Sequence, residues 1–235
     1  MEVRIESLLE GARRAAGSVA IIDVLRAFTT AAVALANGAS HIVMVSGIEE
    51  AIALRRDGIV QVCVGEVGAR APAGFDFGNS PLEVSRADLR GKAIAQRTSA
   101  GTQGIAAASR AERRYAASLV TAGATARALR AGAPGGVPGR ITLVAMGKDG
   151  TIRTDEDELC ALHLRNLLEG RKGNRDAVRA LILAGGEVPR YHDPARPYLH
   201  AEDLEIALDI DRYDFAIRVG IEDGRTVGRM LRPED

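Results

Sequence analysis

The feature that most constrains this chain is the regular alternation of short apolar runs with longer, Ala-rich amphipathic ones. SVAIIDV (18–24), HIVMVS (41–46), VQVCVGE (60–66), KAIAQRT (92–98), YAASLV (115–120) and ITLVAM (141–146) read as strands. RAFTTAAVALANG (26–38), IEEAIALRRDG (48–58), GTQGIAAASR (101–110) and TARALRAG (125–132) lie among them and read as helices, the first two stopped by glycine. Near-continuous apolar strands alternating with helices need cover on both faces of a sheet. The expected fold is therefore α/β, a largely parallel sheet covered by helices.

A Pro/Gly-rich stretch, AGAPGGVPG (131–139), breaks the pattern. It marks either a boundary between two lobes or a long loop within one functional unit, 1–235. Beyond it the chain turns helical over 154–170, 174–186 and 201–209, then closes on two strands, 215–220 and 225–231. Its 235 residues can bury a sizeable core. Lys+Arg and Asp+Glu are both 31 and aromatics are only 3%, so neither a basic groove nor a base-stacking platform is expected, and nucleic acid is not an expected partner. No apolar stretch reaches the roughly 20 residues of a membrane span, and the first residues carry no apolar leader. Cys63 and Cys160 sit in apolar settings and read as buried thiols, which suits a reducing compartment. A cytoplasmic protein is expected, with homo-oligomerisation left open.

Three loops follow strands, where open α/β sheets place ligands. The first holds Asp23 and Arg26. The carboxylate suits a cation and the guanidinium forks onto phosphate oxygens. The alternative is that Asp23 caps the next helix and Arg26 covers the sheet edge. The second holds Glu66 and the aperiodic GFDFGNSP (74–81) with Asp76, which is either a functional loop or a surface turn broken by Asn79-Ser80-Pro81. The third, RTSAGTQG (97–104), offers hydroxyls and glycines to an anion at a helix N-terminus, or is an ordinary turn. A fourth feature is Thr154-Asp155-Glu156-Asp157, where Thr154 can be an N-cap with Asp157 in a capping box, or Glu156 and Asp157 can ligate magnesium. The histidines are not at metal-ligand spacing, and 191–203 is either a lid or a solvated loop. Cys-x5-Arg, Asp-x-Asp, Walker and complete Rossmann patterns are absent.

Taken in order, IDVLRAFTTAAVALANGA (22–39), GE (65–66), GFDFGNSP (74–81), TSAGT (98–102) and TDEDELCA (154–161) resemble the 2-phosphosulfolactate phosphatase family. The resemblance implies an α/β fold of two unlike lobes. It also implies Mg²⁺-dependent hydrolysis of 2-phospho-3-sulfolactate to sulfolactate and phosphate, a route toward coenzyme M. On this reading Asp23, Arg26 and Glu66 are catalytic. Arg26, Asn79, Thr98, Ser99, Gly101 and Thr102 hold the small phosphorylated acid, and Mg²⁺ takes a few of Asp23, Glu66, Asp76, Glu156 and Asp157. The chain departs from the family pattern at Val67, where Gly-Glu-Arg is usual and where Arg70, at a different position, is a candidate to replace the lost guanidinium, and at Ala100, where an asparagine is usual. Weaker selectivity for a sulfonate over a carboxylate is expected. Two rivals share these residues: a non-catalytic small-anion binding protein, and a metal-dependent lyase or isomerase acting on a phosphorylated acid.

Overall fold

The apolar runs pair into one nine-stranded sheet in the computed structural model, which describes residues 2–131 and 139–232. The stretch expected as a seam at 131–139 lies, apart from its two end residues, outside the described residues. The strands are β1 (Glu2–Ser7), β2 (Gly17–Ile22), β3 (His41–Met44), β4 (Val62–Gly65), β5 (Ala93–Arg97), β6 (Ala111–Ala117), β7 (Arg140–Ala145), β8 (Ala216–Glu222) and β9 (Arg225–Leu231). The helices are α1 (Leu8–Arg14), α2 (Ala27–Ala36), α3 (Ile48–Arg56), α4 (Pro81–Arg86), α5 (Gly101–Ala107), α6 (Ala122–Ala131), α7 (Asp155–Leu168), α8 (Arg175–Leu183) and α9 (Ala201–Ala207).

The strand order is β1-β7-β2-β6-β8-β9-β3-β5-β4. Two all-parallel halves, β1-β7-β2-β6 and β3-β5-β4, are joined by the antiparallel hairpin β8–β9. The hairpin pairs antiparallel with both β6 and β3, so the two halves run in opposite directions. Sheet twist compensates. At roughly 20–25° per neighbouring pair, the six steps from β2 to β4 accumulate about 120–150°, enough to bring both sets of C-terminal strand ends toward one side.

Successive residues of β2 serve opposite faces. Val19 and Ile21 pack with Phe28, Ile105 and Met146, whereas Ala20 and Ile22 pack with Leu119, Leu143 and Leu164. Each such large side chain contributes roughly 1.5–3 kcal/mol by leaving water. This double cover is why the run reads as continuously apolar. Cys63 and Cys160 are buried free thiols, as expected. Among the described residues no helix is long and apolar enough to cross a membrane. The sequence reading does not contain β1, α1 or α4. EVRIES alternates charged and apolar residues because β1 is an edge strand paired only with β7. Asn79-Ser80-Pro81 is not an ordinary breaker but a helix start: Ser80 Oγ accepts the Glu83 amide at 3.2 Å, with proline at the first helical position.

Candidate active site

Beyond β2 the pairing runs one residue further, with the Asp23 amide donating to the Ala117 carbonyl at 3.1 Å. The Asp23 side chain then turns back over α2, where Oδ1 accepts the Ala27 amide at 2.9 Å. Arg26 holds the N-cap position, but Asp23 satisfies the first amide of α2 from three residues further back, and the same carboxylate lines a cavity. Its Oδ2 lies so close to Gly101 that a Cβ there would stand 2.9 Å away, so only glycine fits. Burial drives the Asp23 carboxyl up to about 7, and the neighbouring Glu66 charge adds to the shift. Arg26 is 4% exposed and donates to Asp203 Oδ2 at 2.7 Å and to the Tyr198 carbonyl at 3.2 Å. A longer contact of 3.5 Å reaches the Ala69 carbonyl. Asp203 Oδ1 in turn accepts from Ser80 Oγ at 2.7 Å and the Leu82 amide at 3.0 Å. Arg26 is thus aimed, and its donors are not exhausted.

The first turn of α7 brings two more acids. Thr154 makes no side-chain cap, and Asp157 closes no capping box. Asp157 instead clamps two loops, accepting the Val24 amide through Oδ1 and the Gly147 amide through Oδ2, both at 2.8 Å. Burial holds its carboxyl well above the carboxylate range, reinforced by Glu156 and Asp23. Glu156 is pushed up to about 7, again mainly by burial, with the charges of Glu187 and Asp23 adding. Asp23, Glu156 and Asp157 therefore repel one another in a desolvated corner, an arrangement that a hard cation relieves.

Glu66 lines the same cavity but spends its carboxylate on the chain. Oε1 takes the Ser99 amide at 2.6 Å, and Oε2 takes the Ala69 amide at 2.8 Å and Ser99 Oγ at 3.3 Å. The close approach of the β4 end to β5 requires Gly65, whose added Cβ would lie 1.9 Å from the Arg97 carbonyl oxygen.

Several expected site residues are not brought to the cavity. Asp76 binds Arg55 and the Cys63 amide, each at 2.8 Å, and closes a surface loop. Thr98 and Thr102 bond each other: the Thr98 amide donates to Thr102 Oγ1 at 2.9 Å and the Thr102 amide to Thr98 Oγ1 at 3.0 Å. Gly101 serves Asp23, not a ligand directly. The 97–104 loop does receive anions, but they are this chain's own Asp23 and Glu66 carboxylates. Of that loop only Ser99 and Ala100 line the cavity. His163 is buried in α7 away from the site, and burial lowers its pKa.

The cavity holds about 480 Å³ between loops of both sheet halves. Asn79 lines it, is 5% exposed, and has a buried Oδ1 without a hydrogen-bond partner. This unpaired amide oxygen is an acceptor on the cavity wall, suited to a ligand hydroxyl or to a water. Residues outside the expected set complete the wall: Arg70, Lys148, Glu187, Arg190, Arg196 and Tyr198. The polar density of 191–203 was the signal for the last two, since Tyr191 to Leu199 contributes to the wall. Arg70 stands three residues past Val67, where it can replace, from a different position, the arginine usual in the family; nothing in the periodicity marks Arg190. At the two departures from the family pattern, Val67 is 44% exposed and off the wall, whereas Ala100 is on it.

The corner of acids, the aimed arginine and the unpaired amide meet close relatives in sequence. The model of the 2-phosphosulpholactate phosphatase family matches residues 4–217. A probable 2-phosphosulfolactate phosphatase of Thermotoga petrophila is 38% identical over 160 residues, 68% of this chain and 66% of the relative. One of Symbiobacterium thermophilum is 44% identical over 121 residues, 50% of this chain and 52% of the relative. One of Bacillus subtilis is 28% identical over 214 residues, 90% of this chain and 91% of the relative. The chain spans just under two thirds of the length of the first of these and about half of the second.

Proposed function

This chain belongs to the 2-phosphosulpholactate phosphatase family, and we propose that its cavity hydrolyses the phosphate ester of a small phosphorylated hydroxy acid, 2-phospho-3-sulfolactate above all. The observation that carries this reading is the pairing of Arg26 with a buried acid cluster across one polar cavity. Arg26 is locked by Asp203, so its remaining donors present a fixed fork to phosphate oxygens. Asn79 Oδ1 supplies an acceptor, and Ser99 holds the wall through Glu66.

Mg²⁺ suits the donor set. Among the described residues no three acidic, histidine or cysteine side chains converge as a ready metal cage. Magnesium needs only one or two carboxylates and keeps its waters, and Asp23 with Glu156 offers such a pair, both held above the usual carboxylate range by burial. Asp157 holds the loops behind them, and Glu66 buttresses the wall. When bound, Mg²⁺ supplies charge neutralisation at the phosphoryl oxygens and activation of a water. The chain's own groups do the rest. Arg26 orients the ester through its phosphate oxygens, and Asn79 offers an acceptor on the same wall.

The test is phosphate release from a panel of phosphorylated 2-hydroxy acids with Mg²⁺ present. Turnover with inorganic phosphate as product supports a phosphatase. Binding without turnover would identify an anion-binding protein, and consumption without phosphate release would identify a lyase or isomerase.

A further inference from the structure

Four arginines line the cavity, and three of them are paired with carboxylates. Arg26 pairs with Asp203, Arg190 with Glu187, and Arg196 with Asp193. Among the described residues Arg70 alone of the four has no carboxylate partner. Its guanidinium carbon lies 4.8 Å from the centroid of the Tyr198 ring. A cation held over a ring in this way commits no N–H donor to a carboxylate, which leaves its donors for an anion.

The position is built. The Val67 amide donates to the Arg70 carbonyl at 2.9 Å, the Arg70 amide donates to the Val67 carbonyl at 3.2 Å, and Glu66 anchors the turn through the Ala69 amide. The Tyr198 carbonyl accepts from Arg26 at 3.2 Å, so one residue ties the ring under Arg70 to the arginine aimed at the phosphate.

We propose that Arg70, laid on Tyr198, is a second anion subsite that holds the acid group of the substrate that is not transferred, a carboxylate or sulfonate beside the phosphoester. This assignment rests on the phosphatase reading for the identity of the substrate. A phosphorylated hydroxy acid brings further negative charge besides its phosphate; of the two cavity cations with no carboxylate partner among the described residues, Arg70 and Lys148, Arg70 is the one held over a ring. Arg70 sets specificity and binding; it does not act on the reacting phosphorus. Tyr198 is a positioning residue.

The test uses Arg70→Ala and Tyr198→Leu in the full chain, with melting temperatures as the check on folding. Calorimetry measures binding of 3-sulfolactate, which carries the acid groups but no phosphate, and of inorganic phosphate. Arg70→Ala should weaken 3-sulfolactate by about ten- to a hundredfold, the cost of one charged hydrogen-bonding partner, and leave phosphate binding little changed. In turnover, the same variant should raise KM for 2-phosphosulfolactate while kcat and the hydrolysis of isopropyl phosphate stay close to wild type. Tyr198→Leu should move KM the same way by less. If wild type binds 3-sulfolactate through Arg70 but releases no phosphate from any ester, the phosphatase reading fails and the subsite stands. Equal 3-sulfolactate affinity in wild type and Arg70→Ala, parallel loss of both anions, or no binding by wild type would overturn the subsite.

Discussion

Asp23 serves two ends that conflict. As a cap it stabilises α2 through the Ala27 amide; as a buried acid beside Glu66 it costs stability whenever it is ionised. Its pKa, like that of Glu156, rises to about 7 in the folded chain, against about 4 in an unfolded one. Between those values the folded chain holds protons that the unfolded chain has released. Stability from these groups is therefore highest at low pH, falls as pH rises from about 4 to about 7, and levels off above. His163, whose pKa is lowered by burial, works in the opposite sense below its ordinary value, so the difference between two variants is the informative quantity. Asn is an equivalent cap without the charge. In chelator, Asp23→Asn should be more stable than wild type at pH 8 and converge with it toward pH 4. Denaturant melts across that range check this, and a variant less stable than wild type at pH 8 would return Asp23 to a purely structural role.

At the scale of elements, α9 reaches the site through one carboxylate. Asp203 is fully buried and ties Arg26 to the start of α4 through Ser80 and Leu82. Asp203→Ala leaves Arg26 buried without its partner and should cost about 3–5 kcal/mol, read by urea denaturation. A loss under about 1 kcal/mol would mean that Arg26 is held by its carbonyl contacts alone. None of this linkage was legible in the sequence, because α4 was hidden in what looks like a turn and Asp203 lies in a polar helix start with nothing to name its partner. Asp23, Arg26, Glu156 and Asp157 were legible because strand ends and helix starts place them at the same rim of the sheet. Thr98, Gly101, Thr102 and Asp76 misled for one reason. A sequence displays donors and acceptors, but only the fold decides that the chain's own groups reach them first.

The whole molecule places its chemistry where two oppositely running parallel half-sheets meet by twist. The alternation of runs foretold the parallel halves and their helical cover. It could not foretell the bridge, since β8 and β9 look like any pair of terminal strands yet insert between β6 and β3. That insertion brings loops of both halves to one cavity, such as those of Glu66 and Asp157. The central claim is that this junction is a metal-assisted phosphoester hydrolase site organised on Asp23. The direct measurement is phosphate release from 2-phospho-3-sulfolactate by chelator-treated protein, before and after Mg²⁺ is restored, for wild type and Asp23→Asn. Wild type should be silent in chelator and recover with Mg²⁺. Asp23→Asn should stay folded but lose about 10²-fold or more in kcat, the scale of a few kcal/mol of transition-state stabilisation. Full activity in chelator, or near wild-type kcat in Asp23→Asn, would contradict it.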